Sequence, residues 1–337
     1  MSRPRHPDRP VGVRIAGTGV ALPTRTLTND DLAQLVDTND EWITKRTGIK
    51  TRRIVGNGQG VLELARDAVS AALADAAMEP ADLDMVLVAT LTPEMACPST
   101  AARLTAMIDA QPAGAMDLSA ACSGFVYGLN LAATMIESGL YRRVAVVGAE
   151  VLSKVTDWTD RRTCVLFGDG AGAAIVTACD DASKGCLHQT MRSDGRLWPE
   201  LYLPRDDKDV PDQGRDAFSG NFNTLQMNGR EVFKFAVTTT QAIIDETLEA
   251  AGVKAQDLAM IVPHQSNRRI LEAARERLGL PEDKLWVNID RLGNTSAASV
   301  PICLHEMRTA GKAGEGDLVL FMAIGGGMTW ASSLWRF

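Results

Sequence analysis

Four histidines, six cysteines and 5% aromatic residues in 337 residues leave little material for several classes of site. The cysteines, at 97, 122, 164, 179, 186 and 303, show no C-x-x-C spacing, so neither a zinc site nor a disulfide framework is expected. The histidines, at 6, 188, 264 and 305, form no H-E-x-x-H pair, and no metal is expected. No apolar run approaches the roughly 18 residues of a membrane span, and the N-terminus lacks the apolar core of a secretory signal. A cytoplasmic location without membrane partners is the resulting expectation. A basic excess is also missing. The formal net charge of −7 and pI near 5.3 argue against nucleic acid as a partner and leave any acidic partner only a local basic patch.

What is present is an ordinary globular composition, 45% hydrophobic and 23% charged, in a chain long enough for two domains or one duplicated domain. Residues 1–10 carry three prolines and three arginines without an apolar pattern and read as a mobile tail. A strand is expected over Val11–Val20, and Thr28-Asn29-Asp30-Asp31 opens a helix that turns Leu32, Leu35 and Val36 to one face. Helices near Val61–Ala77, Ser99–Ala110 and Gly124–Ser138 then alternate with strands at Met85–Ala89, Val144–Gly148 and Cys164–Thr177. Such alternation reads as an α/β sheet with helices on its faces. The run F-G-D-G-A-G-A-A at Phe167–Ala174 continues as strand and opens no helix, so it marks close backbone approach, not a dinucleotide loop. Residues 181–226 are polar and read as a connector between an N-terminal half, 11–180, and a C-terminal half, 227–337. The latter begins with a long helix from Gly229 that stops at Gly252.

Two stretches carry chemistry. In Asp37–Arg53, Trp42 stands among Lys45, Arg46, Lys50, Arg52 and Arg53, a ring and cations suited to a ligand with a base and phosphates. In Met116–Asn130, M-D-L-S-A-A-C-S-G-F-V-Y-G-L-N, a buried strand runs into a helix with Cys122 at the junction. Free N–H groups and the helix dipole favour thiolate there, which makes Cys122 the candidate nucleophile. An internal repeat supplies its companions. Leu73, Ala76, Asp82, Leu83 and Met85 match Leu248, Ala251, Asp257, Leu258 and Met260 at one spacing, so the halves read as one α/β unit used twice. Loops after equivalent strands then meet near a pseudo-two-fold axis. His264 in P-H-Q-S-N ends a second-half strand. Asn294 in G-N-T-S follows the next strand, at the place that Cys122 holds in the first half. An imidazole can move protons or donate to an oxyanion, a carboxamide N–H can donate without titrating, and A-I-G-G-G-M-T-W at Ala323–Trp330 offers bare backbone N–H groups.

The motifs E-W-I-T-K-R-T-G-I, D-L-S-A-A-C-S-G-F, F-G-D-G-A-G-A-A, E-V-F-K, P-H-Q-S-N, G-N-T-S-A-A-S-V-P and G-G-G-M-T-W, in that order from Val11 to Phe337, resemble the thiolase-fold condensing enzymes of the β-ketoacyl-[acyl carrier protein] synthase III family. The resemblance implies a duplicated thiolase-like α/β fold of five layers, αβαβα, with two pseudo-two-fold related halves, and a homodimer. It implies a decarboxylative Claisen condensation of an acyl-CoA primer with malonyl-acyl carrier protein through a Cys122 acyl-enzyme, giving β-ketoacyl-acyl carrier protein, CoA and CO₂, with no cofactor beyond the CoA substrate. His264 and Asn294 would complete the catalytic set, and the N–H groups of Cys122 and Gly326 the oxyanion hole. Thr38, Trp42, Arg46, Arg161, Phe233 and Asn267 would bind CoA, while Lys234, Arg269 and Arg277 would receive the carrier protein. The chain departs from the family pattern at Arg162, where a glycine is expected, and at Cys97, where a bulky residue would reach across the dimer to close the acyl pocket. A small Cys97 implies a primer larger than acetyl. A thiolase would carry a second cysteine where Ala323 stands. The alternatives are a condensing or acyl-transferring relative in a secondary pathway and, from another class, a non-catalytic acyl-CoA binding module.

Overall fold

The computed structural model describes residues 11–213 and 215–337, so the expected tail at 1–10 lies outside the described residues. The chain begins with β1 (Gly12–Ala21), β2 (Arg25–Thr28), α1 (Asn29–Ala33), α2 (Asp40–Thr47), β3 (Thr51–Ile54), α3 (Val61–Asp75), β4 (Met85–Ala89) and α4 (Thr100–Met107). It continues through β5 (Gly114–Leu118), α5 (Gly124–Glu137), β6 (Arg143–Val151), β7 (Asp169–Cys179) and β8 (Gly185–Ser193). The remainder is β9 (Leu201–Tyr202), β10 (Gln226–Met227), α6 (Gly229–Ala251), β11 (Leu258–Pro263), α7 (Arg268–Arg277), α8 (Ile289–Leu292), α9 (Ser299–Thr309), β12 (Leu318–Gly325) and β13 (Thr329–Arg336).

One sheet has the order β1-β7-β6-β4-β5, the other β11-β12-β13-β8. Helices α3 and α4 pack outside the first sheet, α6 and α7 outside the second, and α5 and α9 lie between the two. These are the five layers expected. The sequence shows why each element takes its layer. β4 is an unbroken apolar run because it lies parallel to both neighbours with both faces covered. α5, from Phe125 to Ile136, is apolar almost all round because it has a sheet on either side. The central core accordingly joins Phe125, Leu129 and Ile136 of α5 to Val300 and Leu304 of α9 and to Phe321 and Trp335 of the second sheet. The outer helices bury one face only: Leu64, Ala68 and Ala72 of α3 on the first sheet, Ile243 and Leu271 of α6 and α7 on the second. The long helix ends where expected, at Gly252 with φ +65°. Among the described residues no helix is long and apolar enough to cross a membrane.

The duplication runs through the whole topology, with β1, β7, β6 and β4 answered by β8, β13, β12 and β11 in sense and order. This corrects the domain boundary. The segment 181–226 is not a connector between halves, because β8 lies inside it and pairs antiparallel with β13 as the first strand of the second unit. Its pattern hides it: the apolar Leu187 and Met191 are exposed, and the alternation is broken by a shift in register. The polar stretch that follows β8 is an excursion inside the second half, as residues 22–60 are inside the first. The strand expected before Asn294 is also replaced, by a single parallel bridge between Leu285 and Ile261. The strand expected to begin at Cys164 begins at Asp169, after a turn.

Close backbone approach does mark the glycine-rich run: a Cβ on Gly172 would stand 2.8 Å from the backbone of Pro301 and Ile302. Gly148 in β6 is tighter still, since a Cβ there would collide with the carbonyl of Ala297 in the turn before α9. Gly148→Ala therefore forces the two units apart and should destabilise the protein by about 1–3 kcal/mol in denaturant unfolding, the usual range for overpacking. An unchanged midpoint would show that the contact has room to relax.

Candidate active site

The turn that carries Cys122 is a short helical bend, Ala121–Ser123, between β5 and α5. Ala121 has φ +45°, a left-handed conformation unusual for a residue with a side chain. Hydrogen bonds hold it there: Ser123 Oγ lies 2.7 Å from the Oγ1 of Thr329, and that hydroxyl donates to the carbonyl of Ala120 at 3.0 Å. The turn before α9 repeats the device, with Ser296 at φ +49°. Since α5 opens at Gly124 and α9 at Ser299, Ala121 corresponds to Ser296 and Cys122 to Ala297. Asn294 is thus not the positional counterpart of Cys122. It stands two residues before Ser296, on the approach to the facing turn.

The two turns nevertheless meet, and Cys122, His264 and Asn294 line one largely apolar cavity of about 130 Å³ with Phe167, Leu201, Phe233, Gly325 and Met328 among its walls. Asn294 is fixed through its backbone by Leu166 and Gly168, at 2.9 and 3.0 Å. Its Oδ1 accepts from the Ser296 N–H at 2.8 Å, which leaves the amide N–H₂ as the side chain's free donor. His264 follows β11, where its N–H donates to the carbonyl of Met322 at 2.8 Å. Its Nδ1 lies 2.7 Å from Ser299 Oγ, itself 2.8 Å from the carbonyl of Ser296. The hydroxyl has one proton: given to Nδ1, it places the ring proton on Nε2, and given to the carbonyl, it places it on Nδ1. Burial pushes the ring down to about 3, so it is neutral at physiological pH.

The thiol overturns one expectation. Cys122 is 7% exposed, and burial pushes it up to about 12. The Ser296 hydroxyl works the other way, while the Glu150 carboxylate adds to the rise. The positive end of α5 also opposes this, but a dipole effect of about 1 kcal/mol does not reverse such a desolvation. At rest Cys122 is a thiol and not the thiolate expected from position alone.

At the glycine-rich turn, a Cβ on Gly325 would stand 2.8 Å from the N of Cys122. Gly327 has φ +98°, and the N–H of the intervening Gly326 has no backbone partner among the described residues. A second cavity shares Leu166, Met227, Gly229, Phe233 and Asn267 with the first and leads to the surface between Trp42, Arg46, Arg161, Arg162, Arg230 and Arg269. The guanidinium groups of Arg46 and Arg161 lie 5.0 and 5.5 Å from the Trp42 ring, which is half-buried. Arg161 is held by Asp37, and Arg162, the departure from the family pattern, by Asp160 at 2.8 Å. Asn267 caps α7 and donates to the carbonyl of Arg46 at 3.1 Å. Thr38 does not line this mouth, although its hydroxyl is buried without a partner among the described residues. Lys234 and Arg269 are exposed beside it, with Arg269 over the Phe233 ring at 5.2 Å, whereas Arg277 is tied to Asp245 and Gln241. Cys97 is exposed and outside the cavity of its own chain.

Sequence reasoning missed Glu150. It sits in β6, fully buried, and accepts from Leu91 N–H, from the hydroxyls of Thr90 and Thr92, and from Ser296 Oγ at 3.0 Å. Its signal was a lone carboxylate in the otherwise apolar strand V-A-V-V-G-A-E-V.

Residues 116–195 match the family described as 3-oxoacyl-[acyl-carrier-protein (ACP)] synthase III, and residues 248–337 match its C-terminal counterpart. The chain is 48% identical over 324 residues to the β-ketoacyl-[acyl-carrier-protein] synthase III of Caldanaerobacter subterraneus subsp. tengcongensis, covering 96% of this chain and 97% of that one. The crystal structure of the synthase III of Aquifex aeolicus superposes with a TM-score of 0.89 at 46% identity, over 97% of this chain and 100% of that one. A priming β-ketosynthase from a polyketide biosynthetic pathway gives 0.89 at 34% identity, over 97% of each chain.

The neutral His264 has a consequence for stability. In the unfolded chain it titrates near 6.5 and in the fold near 3, so protonation favours unfolding as pH falls through that window. His264→Gln should lose less stability than the native protein between pH 6.5 and 3, by up to about 1.4 kcal/mol per pH unit. Equal acid sensitivity in urea titrations of the two would contradict the burial of a neutral ring.

Proposed function

The chain belongs to the β-ketoacyl-[acyl-carrier-protein] synthase III family, and from that premise we propose how its residues divide the work of condensing an acyl-CoA with malonyl-acyl carrier protein, the step that initiates fatty acid synthesis. The convergence of Cys122, His264 and Asn294 on one dry cavity with a cationic mouth carries the reading. CoA lies along the mouth, its base against Trp42 and Arg161 and its phosphates among Arg46 and neighbouring arginines. Pantetheine passes Phe233 and Asn267 toward the thiol. Thr38, whose buried hydroxyl has no partner among the described residues, contributes at the rim by turning toward the ligand.

Cys122 attacks the thioester carbonyl, and the N–H groups of Cys122 and Gly326 hold the oxygen as it gains charge. CoA leaves and the malonyl thioester enters. Its carbonyl oxygen is held by Asn294 Nδ2 and by His264 Nε2–H, the tautomer in which Ser299 donates to Nδ1. Negative charge gathers on that oxygen as CO₂ departs, and donors aimed at it there lower the barrier. The resulting enolate attacks the acyl-enzyme. A neutral imidazole suits this task because it donates without needing a counterion.

The carrier protein, acidic by this reading, docks on Lys234, Arg269 and the adjacent Arg230. Arg277 contributes less than expected from sequence because Asp245 already neutralises it. A homodimer in the cytoplasm completes the proposal: β5 is an edge strand, half-buried at every residue, with Met95 and Met107 exposed nearby. A second copy there would bring Cys97 of each chain toward its partner's site. The likeness to a priming β-ketosynthase, together with this small Cys97, favours as second reading a larger primer used in a secondary pathway.

Intact-mass measurement after incubation with a panel of acyl-CoA thioesters tests both parts. The expected result is one acyl adduct, absent in Cys122→Ala, that forms at least as fast with longer or branched acyl groups as with acetyl. An adduct that persists in Cys122→Ala would contradict the mechanism, and rates falling steadily from acetyl upward would contradict the larger pocket.

A further inference from the structure

The mechanism leaves one buried acid unused and one proton unassigned. Cys122 is a thiol at rest, and its proton must go somewhere before sulfur can attack. His264 is a poor destination: it is fully buried, its ring bonds to a neutral hydroxyl, and among the described residues no carboxylate bonds to it to stabilise an imidazolium. Glu150 is bonded to Ser296, in the turn that packs on the turn of Cys122.

We propose that Glu150 takes the Cys122 proton through the Ser296 hydroxyl and keeps it for the lifetime of the acyl-enzyme. The inference rests on Cys122 being the acylated nucleophile. Geometry supports it from three directions. Ser296 Oγ donates to Glu150 Oε1 at 3.0 Å, the turn that carries it packs on the turn of Cys122, and the same hydroxyl draws the Cys122 thiol down, so it stands between the two groups. Ser296 is held at φ +49°, and its N–H is tied to Asn294 Oδ1 at 2.8 Å, which fixes the bridge in place. Among the described residues no cation bonds to Glu150. Its bonded partners are the Leu91 N–H and the Thr90, Thr92 and Ser296 hydroxyls, all neutral, and its charge raises the Cys122 thiol. Four hydrogen bonds keep the carboxylate available, while burial lifts it to about 7, near the range where a general base works best.

In the acylation step the S–H bond of Cys122 breaks and its proton passes to Ser296 Oγ, while the Ser296 proton passes to Glu150 Oε1. The electron pair stays on sulfur and forms the bond to the acyl carbon. The carbonyl π pair moves to oxygen and returns as the bond to CoA breaks, and CoA leaves as a thiolate that takes a proton from solvent. When the enolate later displaces Cys122, the pair returns to sulfur, which recovers its proton from Glu150 by the same path. The two groups thus share one negative charge, and neither has to be ionised beside the other. Glu150 acts through Ser296 and touches no substrate.

The rate at which iodoacetamide alkylates Cys122, read from the mass of its peptide between pH 5.5 and 9.5, tests this without any acyl substrate. The native protein should show an inflection near pH 7, with reactivity rising as Glu150 becomes available as base. In Ser296→Ala and in Glu150→Gln the inflection should vanish, and alkylation at pH 7.5 should fall by roughly tenfold or more, about 1.4 kcal/mol of barrier. Ser296→Ala decides the matter alone if Glu150→Gln does not fold. Variants that keep the native inflection and a rate within about twofold of native would overturn the proposal. An acyl adduct forming normally in such variants would leave the family mechanism standing and remove only the relay.

Discussion

Everything at this site depends on how closely two backbone turns approach one another across the pseudo-two-fold axis. The turn of Cys122 and the turn of Ser296 face each other with no side chain between β6 and Ala297, because residue 148 is glycine. Gly124 and Gly325 clear the same space, the first against Ala89, the second against the N of Cys122. Both turns carry a left-handed residue that is not glycine, Ala121 in one and Ser296 in the other. Such backbone is costly, by about 1–3 kcal/mol each, and persists only where surroundings over-determine it. Here the surroundings are hydroxyls, Ser123 with Thr329 on one side and Ser299 on the other.

That closeness sets the electrostatics. Cys122, Glu150 and His264 are all withdrawn from water, and among the described residues no lysine or arginine lines the cavity of Cys122 and His264. Burial acts on each in the sense that removes charge: the thiol and the carboxyl rise and the imidazole falls. A site of neutral donors results, in which the charge that matters is the one that develops on substrate. The cations stand outside, at the mouth, where they can meet phosphates and an acidic partner without disturbing the interior. A net charge of −7 and an anionic ligand are compatible because the arginines are collected at one place.

Much of this was legible in the sequence, for reasons that can be named. β4 and α5 declare themselves by continuous apolar runs, the stop at Gly252 by its left-handed turn, and the duplication by matching residues around Asp82 and Asp257. Cys122 and His264 were legible because each follows an element whose end the pattern marks, and Asn294 through the G-N-T-S run before α9. What was hidden depends on partners distant in sequence. β8 looks like linker because its outer edge is exposed and its register shifts. Asn294 was matched to the wrong position because Leu285 makes a single bridge where a strand was expected. The ionisation of Cys122 was misjudged because local position reveals the helix dipole but not the depth of burial. Glu150 was overlooked since its meaning comes from Ser296, far along the chain.

The central claim is a division of labour: Cys122 carries the acyl group, while His264 and Asn294 stabilise the charge that forms as malonate loses CO₂. The most direct measurement is CO₂ release from labelled malonyl-acyl carrier protein by Cys122→Ala and His264→Ala proteins without primer. The account predicts that Cys122→Ala still releases CO₂ and that His264→Ala loses most of it. Release that vanishes with Cys122 and survives the loss of His264 would contradict it.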